Sequence, residues 1–369
     1  MRIKYVLGLI ALVLVIAAVA FLGGETRNSK AKIVKVGVIT PLTGQFSSLG
    51  EGVANAIRLA EEEFERSHDN VKVELVVEDG AYDAQTGIAA YRKLTQVDHV
   101  DALILLSTPL LDAMYKTMQA DGLPVMTIGL QSEGVVADNI FQLSAAPDLI
   151  IKGFSQLTQS EKPLAGADNV AIVYSNNAVD TAFEKTLLTV YSGVHDEYVV
   201  TSSDEYPTIA TKIAAKADQY DAVVLLTLPS DGANIVKNLN RQLHGKLPQL
   251  VFDAQLQTGW ADYQKILGDT KVLNGAFNLS LKSGDNKQIA SAYKARYTQD
   301  MPTFADYGYD TFNVLMNAYD SNTAEWLRAI GKTHMIGQSG TISFDQDGVR
   351  IQDVGIFQVV NGETKPTGY

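Results

Sequence analysis

The sequence contains no cysteine among its 369 residues. Disulfide bonds, zinc sites built on thiolates and thiol nucleophiles are therefore excluded. A chain without cysteine is compatible with an oxidising compartment, although this composition alone does not require one.

Signatures of catalysis and metal binding are also missing. The sequence has no Walker loop, no G-x-G-x-x-G loop and no G-x-S-x-G elbow, because the spacing at 337–340 is different. None of the five histidines has a second histidine four residues away, which is the spacing of a helical metal site. We therefore predict that the protein is not an enzyme and holds no metal and no cofactor. A hydrolase built on two carboxylates stays open, because a sequence cannot pair them.

Positive charge is scarce. The chain has 30 Lys and Arg residues against 42 Asp and Glu residues, a formal net charge of −12 and a pI of about 4.9. A protein that binds phosphate backbones presents a basic surface, so this balance argues against nucleic acid as a partner. The acidic surface favours solubility and does not identify a ligand.

The chain is too long for one compact core, since cores stop growing at about 250–300 residues. Two domains are therefore expected. Hydrophobic residues make up 46% of the chain and charged residues 20%, which is ordinary for a globular protein.

The N-terminus has the pattern of an export signal. Arg2 and Lys4 precede an apolar run over 5–22, and the run contains the small residues Ala18 and Ala20 of a cleavage site. The run is also almost long enough to span a membrane, so an uncleaved anchor stays open. We predict that 1–22 is a signal peptide or an anchor and that 23–32 is a tether. Either alternative places the rest of the chain outside the cytoplasm.

Strands and helices alternate after the tether. Apolar β-branched segments such as 102–106 alternate with segments whose apolar residues recur three or four apart, first over 33–128 and again over 169–253. This alternation is typical of a parallel sheet covered by helices on both faces. The sequence therefore predicts an α/β protein with two doubly wound parallel-sheet lobes.

Several short motifs carry a family resemblance through their order and spacing. They are VGVITPLTG at 36–44, VAIVY at 170–174, Tyr309-Asp310, GTISFDQDG at 340–348 and QVVNG at 358–362. With these motifs the chain resembles type-1 periplasmic solute-binding proteins, in particular the substrate-binding family of branched-chain amino acid (Leu/Ile/Val) ABC transporters. The resemblance runs from about residue 35 to the C-terminus.

The resemblance implies a type-1 periplasmic binding fold in which a three-strand hinge joins the lobes. The predicted division is lobe one at 33–147 plus 283–337 and lobe two at 148–282 plus 338–369. The implied function is capture of a small polar solute between the lobes by hinge closure, for the permease subunits of an ABC transporter. The alternative is a sensor subunit for a membrane signalling protein. Membrane contact would be made through the N-terminal segment if it is uncleaved.

The loop over 43–50 is the first candidate ligand contact. Its glycines allow close approach of the backbone, and the following helix N-terminus offers free N–H groups. An ordinary capped turn is the alternative. The candidate residues in this loop are Thr43, Gly44, Ser47 and Ser48.

Two further loops of lobe one follow predicted strands. Ser107 and Thr108 occupy the position where the family uses a serine hydroxyl to receive a ligand carboxylate, although a helix N-cap fits the same geometry. Gly129 and Gln131 lie in the next loop, where Gln131 departs from the family's Ala-x-Thr pattern.

Lobe two departs further from the family pattern. Asn274 stands where the resemblance implies an anion for a ligand ammonium, and Asn176 stands near a missing aromatic residue. Asp253 follows a predicted strand and could restore the anion, or it could only cap a turn. The sequence therefore predicts weak binding of leucine, isoleucine and valine, and favours an amide or a small carboxylate.

Overall fold

The structure is a computed structural model that describes residues 31–368 except 45, 130–136, 145, 146, 283 and 303. The predicted signal or anchor segment 1–22 lies outside these residues, as does most of the tether. Within the described part of the chain, no helix is both long enough and apolar enough to cross a membrane.

The first sheet has five strands in the order β2-β1-β3-β4-β5, and every neighbouring pair is parallel. Its strands are β1 (Lys32–Thr40), β2 (Val71–Asp79), β3 (Ala102–Leu105), β4 (Val125–Thr127) and β5 (Ile140–Gln142). β3 is buried along its whole length, as expected for a central strand of a parallel sheet that helices cover on both faces.

Three helices connect these strands. They are α1 (Ser47–Ser67), α2 (Ala84–Gln96) and α3 (Thr108–Asp121). In α1 the residues Val53, Ile57, Ala60 and Phe64 are buried, and their spacing of three and four places them on one face. That face packs against the first sheet as part of one hydrophobic core.

The second sheet begins with five parallel strands. They are β6 (Asn169–Ser175), β7 (Val194–Val200), β8 (Ala222–Leu226), β9 (Leu250–Phe252) and β10 (Phe277–Leu281). The helices α4 (Pro147–Leu157), α5 (Ala178–Val190), α6 (Tyr206–Ala214), α7 (Pro229–Gln242), α8 (Gln255–Thr258) and α9 (Trp260–Leu267) accompany them. Alternate residues of these strands pack in two separate hydrophobic cores; for example, Val173 packs in one and Ile172 in the other. The second sheet is therefore covered on both faces.

The chain then returns to the first sheet. It forms α10 (Lys287–Tyr297), α11 (Ala305–Asn317), α12 (Thr323–Gly331) and the hairpin of β11 (His334–Gly337) and β12 (Gly340–Ser343). It ends in the second sheet with the antiparallel strands β13 (Val354–Val360) and β14 (Glu363–Pro366). The full order of that sheet is β14-β13-β10-β9-β8-β6-β7.

The predicted α/β fold with two parallel-sheet lobes is confirmed. The exact division into lobes stays a prediction. Ile342 and Phe344 pack in the hydrophobic core of the first sheet, although the predicted boundary assigns 338–369 to lobe two. We propose that the last crossing lies after Phe344.

The segments that cross between the sheets meet at Arg350, whose side chain is only 1% exposed. Its guanidinium donates to the backbone carbonyls of Leu143 (3.4 Å), Ser339 (3.1 Å) and Thr341 (2.9 Å). Leu143 follows β5, at the first crossing, and the other two carbonyls belong to the hairpin before the third. One side chain therefore joins segments that are about 200 residues apart in the chain.

A buried carboxylate lies behind this guanidinium. Arg350 donates to the Ser339 hydroxyl (2.9 Å), and that hydroxyl donates to Asp310 (2.5 Å). Asp310 also accepts the backbone N–H groups of Gln338 and Ser339. The charge of Asp310 is therefore compensated by hydrogen bonds and by a nearby cation.

Replacing Arg350 by methionine should destabilise the protein. The change leaves buried carbonyls without donors and Asp310 without its cation, so we expect a loss of about 3–5 kcal/mol in the free energy of unfolding. Urea denaturation followed by fluorescence measures it. The control is Arg328→Met, which removes a half-exposed arginine paired only with Glu325 and should cost less than about 1 kcal/mol. Equal losses in the two variants would contradict the role of Arg350.

Candidate functional site

The carboxyl ends of the parallel strands form the edge of each sheet where a ligand is expected. In the first sheet, Asp79 at the end of β2 organises this edge. It accepts hydrogen bonds from the Thr43 hydroxyl (2.6 Å) and from the backbone N–H groups of Leu42 and Ala81 (2.8 Å each). Burial raises the pKa of Asp79, but these hydrogen bonds outweigh it and hold the pKa below its ordinary value. The Thr43 hydroxyl is thus engaged within the protein.

The other candidates of the first loop lie around the start of α1. Gly44 has a φ of 81°, which a residue with a Cβ rarely adopts. Ser47 is the first residue of α1 and is half-buried, whereas Ser48 is exposed. The structure brings these residues to the edge of the sheet without giving their side chains a cap hydrogen bond.

An aromatic pair stands beside this loop. The rings of Phe46 and Tyr82 are 4.7 Å apart between centroids, and both residues are half-buried. Tyr82 and the preceding Ala81 have left-handed φ angles of 55° and 46°, which are uncommon for residues with a side chain. Backbone strain of this kind clusters at functional sites. The sequence analysis did not find either aromatic residue.

Tyr82 of this aromatic pair contacts the candidate ligand-binding residues that follow β3. The Tyr82 hydroxyl donates to the Thr108 hydroxyl (3.4 Å). A Cβ built on Gly129 would lie 3.0 Å from that hydroxyl, so Gly129 allows the close packing of two loops. Ser107 is fully buried and accepts from the backbone N–H of Leu110, which makes it the N-cap of α3. The structure therefore brings Ser107, Thr108 and Gly129 together, while Gln131 lies outside the described residues.

The matching edge of the second sheet contains two buried carboxylates. Asp253 follows β9 and is 1% exposed, and Asp180 lies in the first turn of α5 and is 0% exposed. Gln255 bridges them. Its side-chain amide donates to Asp180 and, over 3.4 Å, to Asp253, while its backbone N–H donates to Asp253 (3.0 Å). Asn177 caps α5 and donates to Asp180 (2.7 Å).

Burial dominates the titration of this pair. It raises the pKa of Asp180 to about 7, against the hydrogen bonds from Asn177 and Gln255 that lower it. Burial, followed by the charge of Asp180, raises the pKa of Asp253 well above its ordinary value. In both groups burial outweighs the hydrogen bonds that favour the carboxylate, so the neutral form is favoured.

A third carboxylate lies at the rim of this edge. Asp231 accepts from the hydroxyls of Ser175 (2.6 Å) and Tyr206 (2.5 Å) and is only partly buried. Among the residues that the structure describes, none of the three carboxylates forms an ion pair with a basic side chain. In the same part of the chain no cluster of acidic and histidine side chains has the geometry of a metal site.

The two edges face each other across a cleft. Burial raises the pKa of Tyr82 in the first lobe, and the carboxylate of Asp180 in the second lobe raises it further. Such an electrostatic effect requires that the two side chains are near each other. Tyr82 and Thr108 at the edge of the first sheet therefore lie near the acidic side chains at the edge of the second sheet.

A family model described as periplasmic binding protein matches residues 33–364, which is most of the chain. The chain belongs to the periplasmic binding protein family. The predicted resemblance is thereby confirmed, as is the function of a solute-binding protein on the outer side of the cytoplasmic membrane. No curated protein sequence matches the chain.

Solved structures agree with this assignment. LivJ of Streptococcus pneumoniae, a branched-chain amino acid transporter substrate-binding protein in complex with isoleucine, is 19% identical with a TM-score of 0.77; the match covers 90% of this chain and 98% of LivJ. The leucine-binding protein LivK of Thermotoga maritima is 20% identical with a TM-score of 0.75, over 91% and 98%. A solute-binding protein of R. palustris in complex with benzoate is 18% identical with a TM-score of 0.73, over 91% and 96%. These identities establish the fold of this periplasmic binding protein and not its ligand.

Asn274 requires a correction. It lies before β10, at the amino edge of the second sheet and opposite to Asp253, where its side chain accepts from the backbone N–H of Gly362 (2.9 Å). The reason is the 3₁₀ turn Thr270–Leu273, which ends at Asn274 before β10 begins. Asn274 therefore lies away from the carboxyl edge, and the predicted preference for an amide or a small carboxylate loses the support of this residue.

The other two candidates of lobe two do reach the carboxyl edge. Asn176 directly follows β6 and is exposed, with its backbone N–H bonded to Val200. Asp253 does cap a local turn through Gln255, as the alternative interpretation had it, yet it also faces Asp180. Sequence reasoning missed Asp180 and Asp231, although each is an acidic residue in the first turn of a helix that follows a predicted strand.

The ligand-free protein should lose stability as the pH rises. Asp180 binds its proton up to about pH 7 in the folded state but only up to its ordinary pKa of 3.8 when unfolded. Stability is therefore full below about pH 4, falls through this window and levels off above pH 7. Asp253 acts in the same direction. The titratable and polar groups that face Asp180 and Asp253 are Ser175, Asn177, Gln255, Asp231, Tyr82 and Tyr263.

Urea denaturation at pH 5 and pH 8 tests this dependence. The wild type should lose free energy of unfolding between pH 5 and pH 8, and Asp180→Asn should reduce this loss by up to about 3 kcal/mol. The reason is that a pKa shift of one unit between the folded and the unfolded state corresponds to 1.36 kcal/mol. Asp218→Asn, at an exposed position, should leave the dependence unchanged. Parallel pH profiles for the wild type and Asp180→Asn would show that Asp180 is not the titrating group.

Proposed function

We propose that this protein captures a small organic solute with an ammonium or similar cationic group between its lobes and passes it to the permease subunits of an ABC transporter. The observation that carries this proposal is the buried pair Asp180 and Asp253 at the carboxyl edge of the second sheet. Families of this fold bind their solutes at that edge.

Removing the charge of a carboxylate from water costs free energy. A carboxylate removed from water needs a cation or must take up a proton, and the described contacts of Asp180 and Asp253 are amide donors and, for Asp180, the Ser175 hydroxyl. A solute with a positively charged group supplies what the protein lacks. The isoleucine found in LivJ of Streptococcus pneumoniae carries such a group, which supports this class of solute.

The first lobe supplies the opposite contacts. Because the Tyr82 hydroxyl donates to Thr108, the Thr108 hydroxyl retains its own hydrogen as a donor for the solute. The rings of Phe46 and Tyr82 offer apolar surface for the carbon chain. Ser107 contributes little directly, since its side-chain oxygen already caps α3.

We also propose that binding involves no covalent step, since the family consists of binding proteins. The oxygens of Asp180 and Asp253 accept hydrogen bonds from Asn177 and Gln255 and are not aligned with a nucleophile. The function is therefore capture and release.

Hinge closure should accompany binding. Within the residues that the structure describes, the chain passes from one sheet to the other after β5, β10 and β12, and such connecting segments allow rigid lobes to close on a ligand. Small-angle scattering should show a smaller radius of gyration when a panel of amines and amino acids is added at saturating concentration. An unchanged profile with every solute that raises the melting temperature would contradict closure.

Asp253→Asn should weaken binding of the best solute of that panel by about ten- to a hundred-fold. The reason is the loss of a charged hydrogen bond, which typically contributes about 1.5–3 kcal/mol. Isothermal titration calorimetry at pH 8 measures the change. Asp218→Asn is the matched control, since it removes a carboxylate at an exposed position of the same lobe. An affinity that Asp253→Asn leaves unaltered would place the ligand elsewhere.

A further inference from the structure

We propose that the ligand carries a net positive charge and that Asp180 is the residue that selects for it. This inference rests on the proposed function, and it goes beyond it by excluding zwitterions such as the aliphatic amino acids as the preferred class. The cleft contains more negative charge than one ammonium could balance.

The presence of a solute at this edge does not depend on the carboxylates. It follows from membership of a solute-binding family and from the aromatic pair on the facing lobe. The carboxylates decide only the charge of that solute.

One carboxylate is sufficient for one ammonium, and this cleft has two that are fully buried. Asp180 and Asp253 accept from the same Gln255 side-chain amide, so they lie within reach of one bound group. If a zwitterion neutralised Asp253, the second buried carboxylate would remain uncompensated, with Asp231 adding to the repulsion from nearby. A ligand with a net positive charge balances both.

Among the residues that the structure describes, the contacts of the facing edge include no basic side chain. Among the described contacts of that edge, Ser107 accepts a backbone hydrogen bond and the Thr43 hydroxyl donates to Asp79, which is itself an anion. Phe46 and Tyr82 add an aromatic pair, and aromatic rings attract cations and pack against carbon chains. The charge preference therefore comes from the acidic wall, while the facing wall contributes aromatic rings and the neutral Thr108 hydroxyl.

Two matched pairs of probes test the charge. L-lysine and L-norleucine share a six-carbon chain and differ in the terminal ammonium, whereas 1,5-diaminopentane and 5-aminopentanoate differ in a second ammonium against a carboxylate. In calorimetry at pH 8 the cationic member of each pair should bind at least about ten-fold more tightly. The two pairs also distinguish α-amino acids from simple amines as the source of the cation.

Asp180→Asn should abolish the preference for the cationic member of each pair and leave the protein folded. Because this variant removes a buried repulsion, it should be at least as stable as the wild type at pH 8, while its ratio of affinities within each pair falls towards one. Asp218→Asn should keep the wild-type ratio. An Asp180→Asn variant that retains the full ratio would overturn the assignment to Asp180.

The remaining outcomes separate this inference from the proposed function. Tighter binding of L-norleucine or 5-aminopentanoate, with compaction in scattering, would overturn the inference and leave a solute-binding cleft at Asp253. Failure of both cations to bind at millimolar concentration while another solute binds would also overturn it. If no solute of any charge binds or compacts the protein, the proposed function itself fails.

Discussion

The buried guanidinium of Arg350 is the contact on which the relation between the two lobes depends. Its hydrogen bonds go to backbone carbonyls of connecting segments, at Leu143, Ser339 and Thr341, and to the Ser339 hydroxyl. Five N–H donors in one rigid plane can join several segments at once, which a lysine ammonium cannot do with the same geometry. The nearby Gln352 adds a bond from its side-chain amide to the carbonyl of Lys282, at the second crossing. The three crossings are thereby held at one place, from which both carboxyl edges extend towards the same cleft.

Two groups of buried acidic side chains can be compared, namely Asp310 near Arg350 and the pair Asp180 and Asp253. Asp310 accepts two backbone N–H groups and the Ser339 hydroxyl and lies near Arg350; burial raises its pKa, and these contacts oppose the rise. Burial also raises the pKa of Asp180 and of Asp253, but among the described residues neither forms an ion pair with a basic side chain. Buried groups that are fully satisfied stabilise a structure, whereas a buried charge without a partner has to be explained by something that binds. We propose that the same chemical group is structural at Asp310 and binds the solute at Asp180 and Asp253 because its neighbours differ.

The elements of the fold could be predicted from the sequence because they depend on local periodicity. The apolar run at 102–106 and the spacing of Val53, Ile57 and Ala60 specify a strand and a helix without knowledge of the partners. The candidate site could be predicted from the sequence only in part. Ser107, Thr108, Gly129 and Asp253 were found because a strand end directly precedes them. Asp180 was missed because its pairing with Gln255 joins residues 75 positions apart. Asn274 was misplaced because a 3₁₀ turn separates it from the edge that the family motif suggested.

The uncompensated carboxylates also explain how binding can be coupled to closure. Asp180 is fully buried and its carboxylate lies near Tyr82 of the other lobe, so with the lobes in this position an ionised Asp180 is held away from water. Without a ligand, closure therefore costs free energy in proportion to the ionisation of the acidic wall. A bound cation reverses the sign, since the same closure then lowers the dielectric around an attractive pair and strengthens it. A ligand shifts a conformational equilibrium only by its difference in affinity for the two states. Here that difference arises from the charge of the acidic wall, so the residues that recognise the solute also favour the closed state.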